Sequence, residues 1–367
     1  MDQERIHLAA LHFVPGVGNY LIKQLVSYCG SAEEVFHQTK RNLLKIPGVG
    51  EVTTESIRQG KPLAQAEEEL LKAEQEGAQV LFFTDNAYPH RLKSIEDAPS
   101  MLYVKGNTNL NSPRTVGIVG TRMATSYGKE CVEELILGLI PSQAQIVSGL
   151  AYGIDIHAHK EALRHNLQTL AVLGSGLDII YPAAHKETAH RLTNQGALVT
   201  ENHFGVKPDA HNFPQRNRII AGLSDALIVV EAGEKGGALI TAEIANSYNK
   251  DVFAIPGNIH NPYSAGCNRL IKANKANLLT SVKDLEYIMN WTEGQRNSTL
   301  QLAVELETLE EDERLLFQMI RDKKRALSID ELCYISQLAP GRLSSLLLSL
   351  EFKNRIVALP GKVYMTR

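Results

Sequence analysis

Cysteine is scarce in this 367-residue chain: Cys29, Cys131, Cys267 and Cys333 are widely scattered and form no C-x-x-C pair. Such spacing argues against a disulfide framework or a structural zinc site and suits buried thiols in a reducing cytosol. Long apolar runs are missing too. No stretch approaches the ~20 residues that span a bilayer, and Met1-Asp2-Gln3-Glu4-Arg5 opens no signal peptide. The expectation is a cytoplasmic protein with no membrane partner. Charge of one sign is not in excess either. With a formal net charge of −3, any nucleic-acid binding has to rest on local basic patches.

Two common nucleotide fingerprints are also absent. No G-x-x-x-x-G-K-[ST] occurs, which disfavours ATP chemistry. A dinucleotide site would show G-x-G-x-x-G after its first strand and an acid ending the second. Here the first turn reads Gly117-Ile118-Val119-Gly120-Thr121-Arg122, and the second strand ends in Ser148-Gly149. No Ser-His-Asp or Cys-His spacing supports nucleophilic catalysis. No catalytic residue, metal ligand or cofactor is therefore assigned. His157-Ala158-His159 does not alter this, because residues two apart on a helix point about 200° apart. A packing or capping role near Asp155 fits them better. Asp178 and Glu201 fall near strand ends, where a carboxylate is either a general acid or simply a solvated loop group.

What is present is an ordinary globular composition, 44% hydrophobic and 22% charged, with length for two or three domains. In the first sixty residues Val14-Pro15-Gly16-Val17-Gly18 recurs as Ile46-Pro47-Gly48-Val49-Gly50. Each copy lies between apolar helical segments, giving helix, glycine hairpin, helix. Free N–H groups in such a turn can hold a backbone phosphate without reading sequence. Equally, the hairpins can serve only to pack two helix pairs. Lys61 to Gly77 then reads as an acidic amphipathic helix closed by Gly77, and Ala78 to Thr84 as a strand.

From Arg114 the pattern is strand, glycine turn, helix, repeated. Strands are predicted at Val116–Val119, Gln145–Ser148, Thr169–Leu173, Leu198–Thr200, Leu227–Val230 and Val252–Ile255, with helices at Tyr127–Ile140, Asp155–His165 and Leu239–Asn249. Short, nearly continuous apolar strands alternating with helices indicate a parallel sheet covered on both faces. The fold class is α/β, a Rossmann-like doubly wound sheet, and ligands there sit outside the carboxyl ends of the strands. Gly120-Thr121-Arg122, Ser148-Gly149, Gly174-Ser175-Gly176, Phe213 to Arg218 and Gly236-Gly237 all fall at that edge. Arg216, Asn217 and Arg218 beside Phe213 offer planar forks and an amide for phosphate oxygens. The Gly236-Gly237 turn into a helix leaves N–H groups free for an anion.

Past a polar linker at Asn290–Ser298 and an acidic run (Glu305, Glu307, Glu310 to Glu313), the charge reverses. Arg314 to Arg367 holds ten Lys/Arg against four Asp/Glu. Helices opening at Ser328 and Pro340, then a hairpin of Arg355–Ala358 and Val363–Thr366 joined through Leu359-Pro360-Gly361-Lys362, read as a winged helix. That module binds duplexes or proteins. The leucines at 346, 347, 348 and 350 give its second predicted helix no strongly basic face.

Several of these blocks, in this order, resemble the DNA-processing protein A (DprA/Smf) family. They are Val116 to Arg122, Ser148 to Asp155 with Ala158-His159, Tyr181-Pro182, Phe213-Pro214 with Arg216 to Ile220, and Pro256-Gly257 followed by Gly266, Asn268, Leu270 and Ile271. One departure is Gly236-Gly237-Ala238-Leu239, where many relatives read Ser-Gly-Ser-Leu. The resemblance implies a non-enzymatic protein that binds and protects incoming single-stranded DNA during natural transformation and loads the RecA recombinase. It also implies a homodimer formed through the Rossmann-like domain. Carried over by position, the strand would be lined by Gly120, Thr121, Arg122, Ser148, Gly149, Phe213, Arg216, Asn217, Arg218, Gly236, Gly237 and Thr241. Ordinary alternatives for Phe213 and Arg218 are a core ring and an ion pair to a carboxylate such as Glu231.

The expected domains are a helix-hairpin-helix (SAM-like) unit at 1–60, an extended Rossmann-like DNA-binding domain at 61–290 and a winged helix at 309–367. Two other functions compete. One is a nucleotide phosphoribohydrolase-like enzyme, loosely echoed by Gly236-Gly237 with Thr241 and Glu243. The other is a regulator sensing a free nucleotide.

Overall fold

The computed structural model describes residues 2–291, 310–323, 327–353, 355–359 and 363–366. The expected linker beyond Trp291, the acids Glu305 and Glu307, and the Pro360-Gly361-Lys362 turn lie outside the described residues. The chain divides into two compact units, Met1–Met289 and Asn290–Arg367.

The first unit begins with six helices: α1 (Gln3–Leu11), α2 (Asn19–Cys29), α3 (Ala32–His37), α4 (Lys40–Leu43), α5 (Glu51–Gln59) and α6 (Lys61–Gln75). The repeated glycine hairpins are also duplicates in backbone. Gly16 and Gly48 take φ of +76° and +83°, and Val17 N–H and Val49 N–H close on Val14 O and Ile46 O at 3.2 and 3.1 Å. Thr53, in the helix that follows the second hairpin, donates to Pro15 O of the first, so the two halves of the repeat pack on each other. Leu11, Ile22, Leu25, Leu43 and Ile57 are fully buried, in a core that continues into Phe82, Met101 and Tyr103. Where this layer meets the sheet, Phe13 stacks on His203 at 4.4 Å and Asn19 accepts from the Ser100 N–H and hydroxyl.

Nine strands follow: β1 (Gln79–Phe82), β2 (Met101–Gly106), β3 (Thr115–Val119), β4 (Gln145–Ser148), β5 (Thr169–Val172), β6 (Gly196–Thr200), β7 (Ala226–Val229), β8 (Asp251–Ala254) and β9 (Asn277–Leu278). Their order is β1-β2-β6-β5-β4-β3-β7-β8-β9. From β6 to β9 along that order, neighbouring strands pair in parallel. β1 and β2 are antiparallel additions on the β6 edge, so the sheet is mostly rather than wholly parallel. Every residue of β3, β4, β5, β6 and β7 is buried, as two covered faces require.

The covering helices are α7 (His90–Lys93), α8 (Ser126–Leu139), α9 (Ile154–Arg164), α10 (Lys186–Gln195), α11 (Asn212–Leu223), α12 (Gly237–Ser247), α13 (Ala265–Lys272) and α14 (Val282–Ile288). From β3 the chain winds outward through β4, β5 and β6, then returns to lay β7 on the other side of β3. The winding direction therefore reverses between β3 and β7, and a crevice opens outside their carboxyl ends.

The second unit contains α15 (Glu311–Asp322), β10 (Leu327–Ser328), α16 (Ile329–Ser336), α17 (Pro340–Phe352), β11 (Ile356–Leu359) and β12 (Val363–Thr366), with sheet order β10-β12-β11. It is a winged helix. A reciprocal box between Ser328 and Glu331 starts α16, and Pro340 starts α17 where a missing N–H costs nothing. Leu343, Leu346, Leu347 and Leu350 close its core, leaving only Leu348 of the leucine run exposed. Among the described residues no helix is long and apolar enough to cross a membrane.

Candidate nucleic-acid interface

The crevice at the β3–β7 reversal is a cavity of about 780 Å³. Its first wall is the β3–α8 turn, carrying Gly120, Thr121 and Arg122. Two backbone bonds fix that turn: Thr121 N–H donates to Glu231 O at 2.7 Å, and Ile154 N–H donates to Thr121 O at 3.2 Å. Two glycines allow the close approach. A Cβ on Gly120 would lie 2.5 Å from Ile154, and one on Gly153, at φ +79°, would lie 2.1 Å from Thr121 O. Arg122 is consequently held out into solvent, its guanidinium 5.7 Å from the centre of the Phe213 ring.

The second wall is α11. The Phe213 to Arg218 stretch is helical, and helical geometry sorts its side chains. Phe213, Arg216 and Asn217 share the cavity face at i, i+3 and i+4. Phe213 lies 5.7 Å from Tyr181, ring centre to ring centre, and is half-buried at the cavity wall. Arg218, two residues beyond Arg216, points to the far side of α11. There it pairs with Glu201 and donates to Asp97 O. Arg218 is thus not part of the cavity. Its partner is Glu201 and not Glu231.

Arg216 is more buried than a phosphate contact would require, at 5% exposure. Its guanidinium donates to the carbonyls of Gly149 and Val172 at the ends of β4 and β5. Gly149 has no room for a side chain, since a Cβ would lie 2.2 Å from Arg216 Nη1. Burial pushes the Arg216 pKa down to about 10, Asp155 opposes the shift, and Arg122 adds to it. Asp155 is itself buried, accepts from Gly149 N–H at 3.1 Å, and has its pKa raised by that burial, with Arg216 pulling the other way. Among the described residues the buried Arg216 Nε has no hydrogen-bond partner, so the group that braces two strand ends keeps one donor unused. Ser148 is fully buried with its hydroxyl on Ile118 O. Neither Ser148 nor Gly149 lines the main cavity.

The third wall is the start of α12. Gly236 begins this helix without a side-chain cap, and Gly236, Gly237 and Ala238 line the cavity with Lys235. Uncapped first-turn N–H groups and the helix dipole favour an anion there. Thr241 also lines the cavity, with its hydroxyl donated to Gly237 O at 2.9 Å, and Asn217 reaches the same carbonyl at 3.5 Å. Among the lining residues Arg122, Arg216 and Lys235 face a single acid, Asp155. The local balance is positive although the chain's is not.

The start of α8, by contrast, is already filled. The Glu231 carboxylate accepts from Thr125 N–H at 2.9 Å and from Thr125 Oγ1 at 2.6 Å, in space that a Cβ on Gly128 would occupy.

Sequence reasoning missed Lys235, Asp155 and Tyr181 as cavity residues. Lys235 directly precedes the glycine pair, and Tyr181 belongs to a recognised motif, so both carried a signal. The other candidates are placed elsewhere. Glu243 holds Lys275 at 2.7 Å outside the cavity, which leaves the phosphoribohydrolase reading without its acid. Asp178 accepts the Gly205 N–H, and Glu201 is bound to Arg218. His159 is buried against Thr169 Oγ1 at 2.7 Å. His157 instead meets Glu133 at 3.3 Å. Glu133, His157 and Glu161 bring ligand atoms within 4.8 Å of one another, but Arg164 and His165 also approach Glu161, as in an ion-pair cluster.

Comparison with known proteins shows the family. Residues 79–290 match the family described as DNA recombination-mediator protein A, and residues 302–362 match the DprA winged helix domain. The chain is 33% identical to Protein Smf of Synechocystis, over the whole of both chains. It is 44% identical over 201 residues to the DNA processing protein DprA of Streptococcus pneumoniae, covering 55% of this chain and 71% of that one. The solved structure of the Streptococcus pneumoniae protein superposes with a TM-score of 0.67 at 36% identity, over 78% of this chain and 98% of that one. DNA processing protein A of Helicobacter pylori, whose structure is described in terms of its single-stranded DNA binding mode, gives a TM-score of 0.53 at 29% identity, over 60% and 97%.

Proposed function

The chain belongs to the DNA recombination-mediator protein A (DprA/Smf) family, and on that premise we propose that it binds single-stranded DNA along the crevice at the β3–β7 reversal. The carrying observation is the meeting of an exposed guanidinium, an aromatic ring and an uncapped helix start in one cavity: Arg122, Phe213 and Gly236-Gly237. Guanidinium and helix amides take phosphates, while a ring at the wall accepts a base face, worth ~1–3 kcal/mol per stacked base. Of the twelve residues carried over by position, nine line this cavity. Gly149 and Ser148 act behind it, and Arg218 acts elsewhere. On this reading, which family membership supports, the protein binds and does not catalyse; Asp155, the one carboxylate among the lining residues, accepts from Gly149 N–H and lies in the field of Arg216.

Further along the same reading, the bound strand is protected and passed to RecA recombinase in the cytoplasm during natural transformation, by a homodimer formed through the Rossmann-like domain. Family membership supports this step. Its test is whether the purified protein speeds RecA filament growth on single strands already coated by a binding protein. No acceleration would refute it.

The binding test is a salt titration against an oligothymidylate and a duplex of equal length. Single-strand binding should weaken linearly with log salt, and Arg122→Ala should lower the slope by ~0.7, the value for one phosphate contact on a single strand. An unchanged slope, or a preference for duplex, would sink the assignment.

A further inference from the structure

Arg122 lies between two cavities, and only one belongs to the crevice described above. On its other side a second groove of about 560 Å³ runs between the β3–α8 turn and the first turns of α8 and α9. Arg122, Lys129, Lys160, Tyr152, Met123 and His157 are among its lining residues, and none of the lining residues is an acid. Lys129 and Lys160 are exposed and have no ion-pair partner among the described residues. Tyr152 presents its ring to solvent at 48% exposure. The ring is held by a T-shaped contact with His185 at 4.9 Å, and His185 is itself fixed on Leu150 O. A void of about 20 Å³ beside Arg122 is lined by Tyr152 of the second groove together with Tyr181 and Phe213 of the first cavity. Glu133, which does not line the groove, meets His157 at 3.3 Å.

We infer that the second groove is a continuation subsite for the same single strand: the backbone turns over Arg122, its next phosphates meet Lys129 and Lys160, and a base lies on Tyr152. The inference rests on the single-strand reading above and adds a direction and a second set of contacts to it. Three features carry it. The two cavities share Arg122, so a chain bound in one is already at the mouth of the other. The lining repeats the chemistry of the first cavity, cations with an exposed ring, which suits a repeating ligand of phosphates and bases. A free mononucleotide would fill one cavity and leave the other unused, whereas a strand occupies both.

The test compares wild type, Lys129→Ala/Lys160→Ala and Tyr152→Ala in anisotropy titrations against oligothymidylates of increasing length at several salt concentrations. These side chains are exposed, and matched melting temperatures will establish that the variants fold. On the shortest oligonucleotide that binds, all three proteins should be alike. As length grows, wild-type affinity and salt slope should both rise. The double-lysine variant should stay at the short-oligonucleotide slope, shallower by ~1.4 because two phosphates are no longer neutralised. Tyr152→Ala should weaken only the longer oligonucleotides, by roughly 5- to 150-fold, the fold-change expected when one base no longer stacks.

A double-lysine variant with the wild-type slope on long oligonucleotides overturns the subsite. So does one that weakens short and long oligonucleotides equally, because the lysines would then act on the first cavity at a distance. A wild type that binds no oligonucleotide of any length overturns the single-strand reading itself, which separates the two failures.

Discussion

Arg122 and Arg216 are both cavity arginines, yet the structure assigns them opposite liabilities, and a pair of substitutions separates them. Arg216 is 5% exposed, donates to two strand-end carbonyls and faces buried Asp155. Arg216→Met removes the cation and leaves Asp155 buried without a counter-charge. Leaving a buried carboxylate without the cation that faces it costs up to the ~3–5 kcal/mol of a broken buried ion pair. The stranded carbonyls of Gly149 and Val172 belong to the same loss and do not simply add to it. For a unit of this size the melting temperature should fall on the order of 10 °C. Arg122→Ala touches no buried partner and should stay within ~0.5 kcal/mol of wild type, while lowering the salt slope of single-strand binding by ~0.7. Thermal denaturation and salt-titrated anisotropy on both variants form the assay. Adding Asp155→Asn to Arg216→Met should recover part of the lost stability, because the unpaired charge goes with it. If Arg216→Met melts with wild type and loses only DNA affinity, the bracing role is wrong and Arg216 is an open phosphate contact.

Three further outcomes follow from the same structure. His12 is partly buried and His159 fully buried, and desolvation pushes each pKa down to about 3, with His203 adding to the first shift and Arg216 and His185 to the second. Both are neutral in the fold but take a proton in the unfolded chain below ~6.5, so stability should fall as pH drops from about 6.5 toward 3, by up to ~1.4 kcal/mol per unit per histidine; His159→Gln melting curves that keep the full pH dependence would refute its share. Gly153→Ala forces a side chain into φ +79° and against Thr121 O, costing ~1–3 kcal/mol and displacing the Arg122 turn, so stability and single-strand affinity should drop together; loss of neither refutes the bracing of that turn. In the second unit Glu313 is buried and accepts from Lys353 and Ser349, so Glu313→Ala should destabilise that unit by ~1–3 kcal/mol and leave oligonucleotide binding by the first unit intact; calorimetry on the full chain reads the stability, and anisotropy the binding.

The doubly wound core was legible because its signal is local. Apolar runs such as Thr169–Val172 and Ala226–Val229 each run out into a glycine turn, and burial on both faces leaves few other readings. β1 and β2 gave the same kind of apolar run, but strand direction is set by long-range pairing, and their antiparallel register with β6 has no local signature. In the cavity, residue types were legible and roles were not. Phe213, Arg216 and Arg218 are equally plausible phosphate or base contacts as letters. Once α11 is a helix, the 100° step per residue puts Arg216 inward and Arg218 outward, and only the fold shows that Gly149 and Val172 carbonyls await the first and Glu201 the second. In His157-Ala158-His159 angular reasoning separated the two rings. Glu133, the partner of His157, comes from another helix, at a sequence distance no motif spans.

The Glu231 carboxylate under the first turn of α8 has a consequence for what can enter. In doubly wound nucleotide-binding proteins the turn after the first strand presents its helix start to a pyrophosphate. Here that berth holds a resident anion, tethered two residues past β7 and hydrogen-bonded to both the Thr125 N–H and hydroxyl. A diffusing phosphate must displace a group whose local concentration no solute matches. The α12 start, which no side chain caps, then offers a small nucleotide a single grip, whereas a polymer multiplies weak grips along its length. One internal carboxylate thereby tilts an old mononucleotide architecture toward ligands that are long.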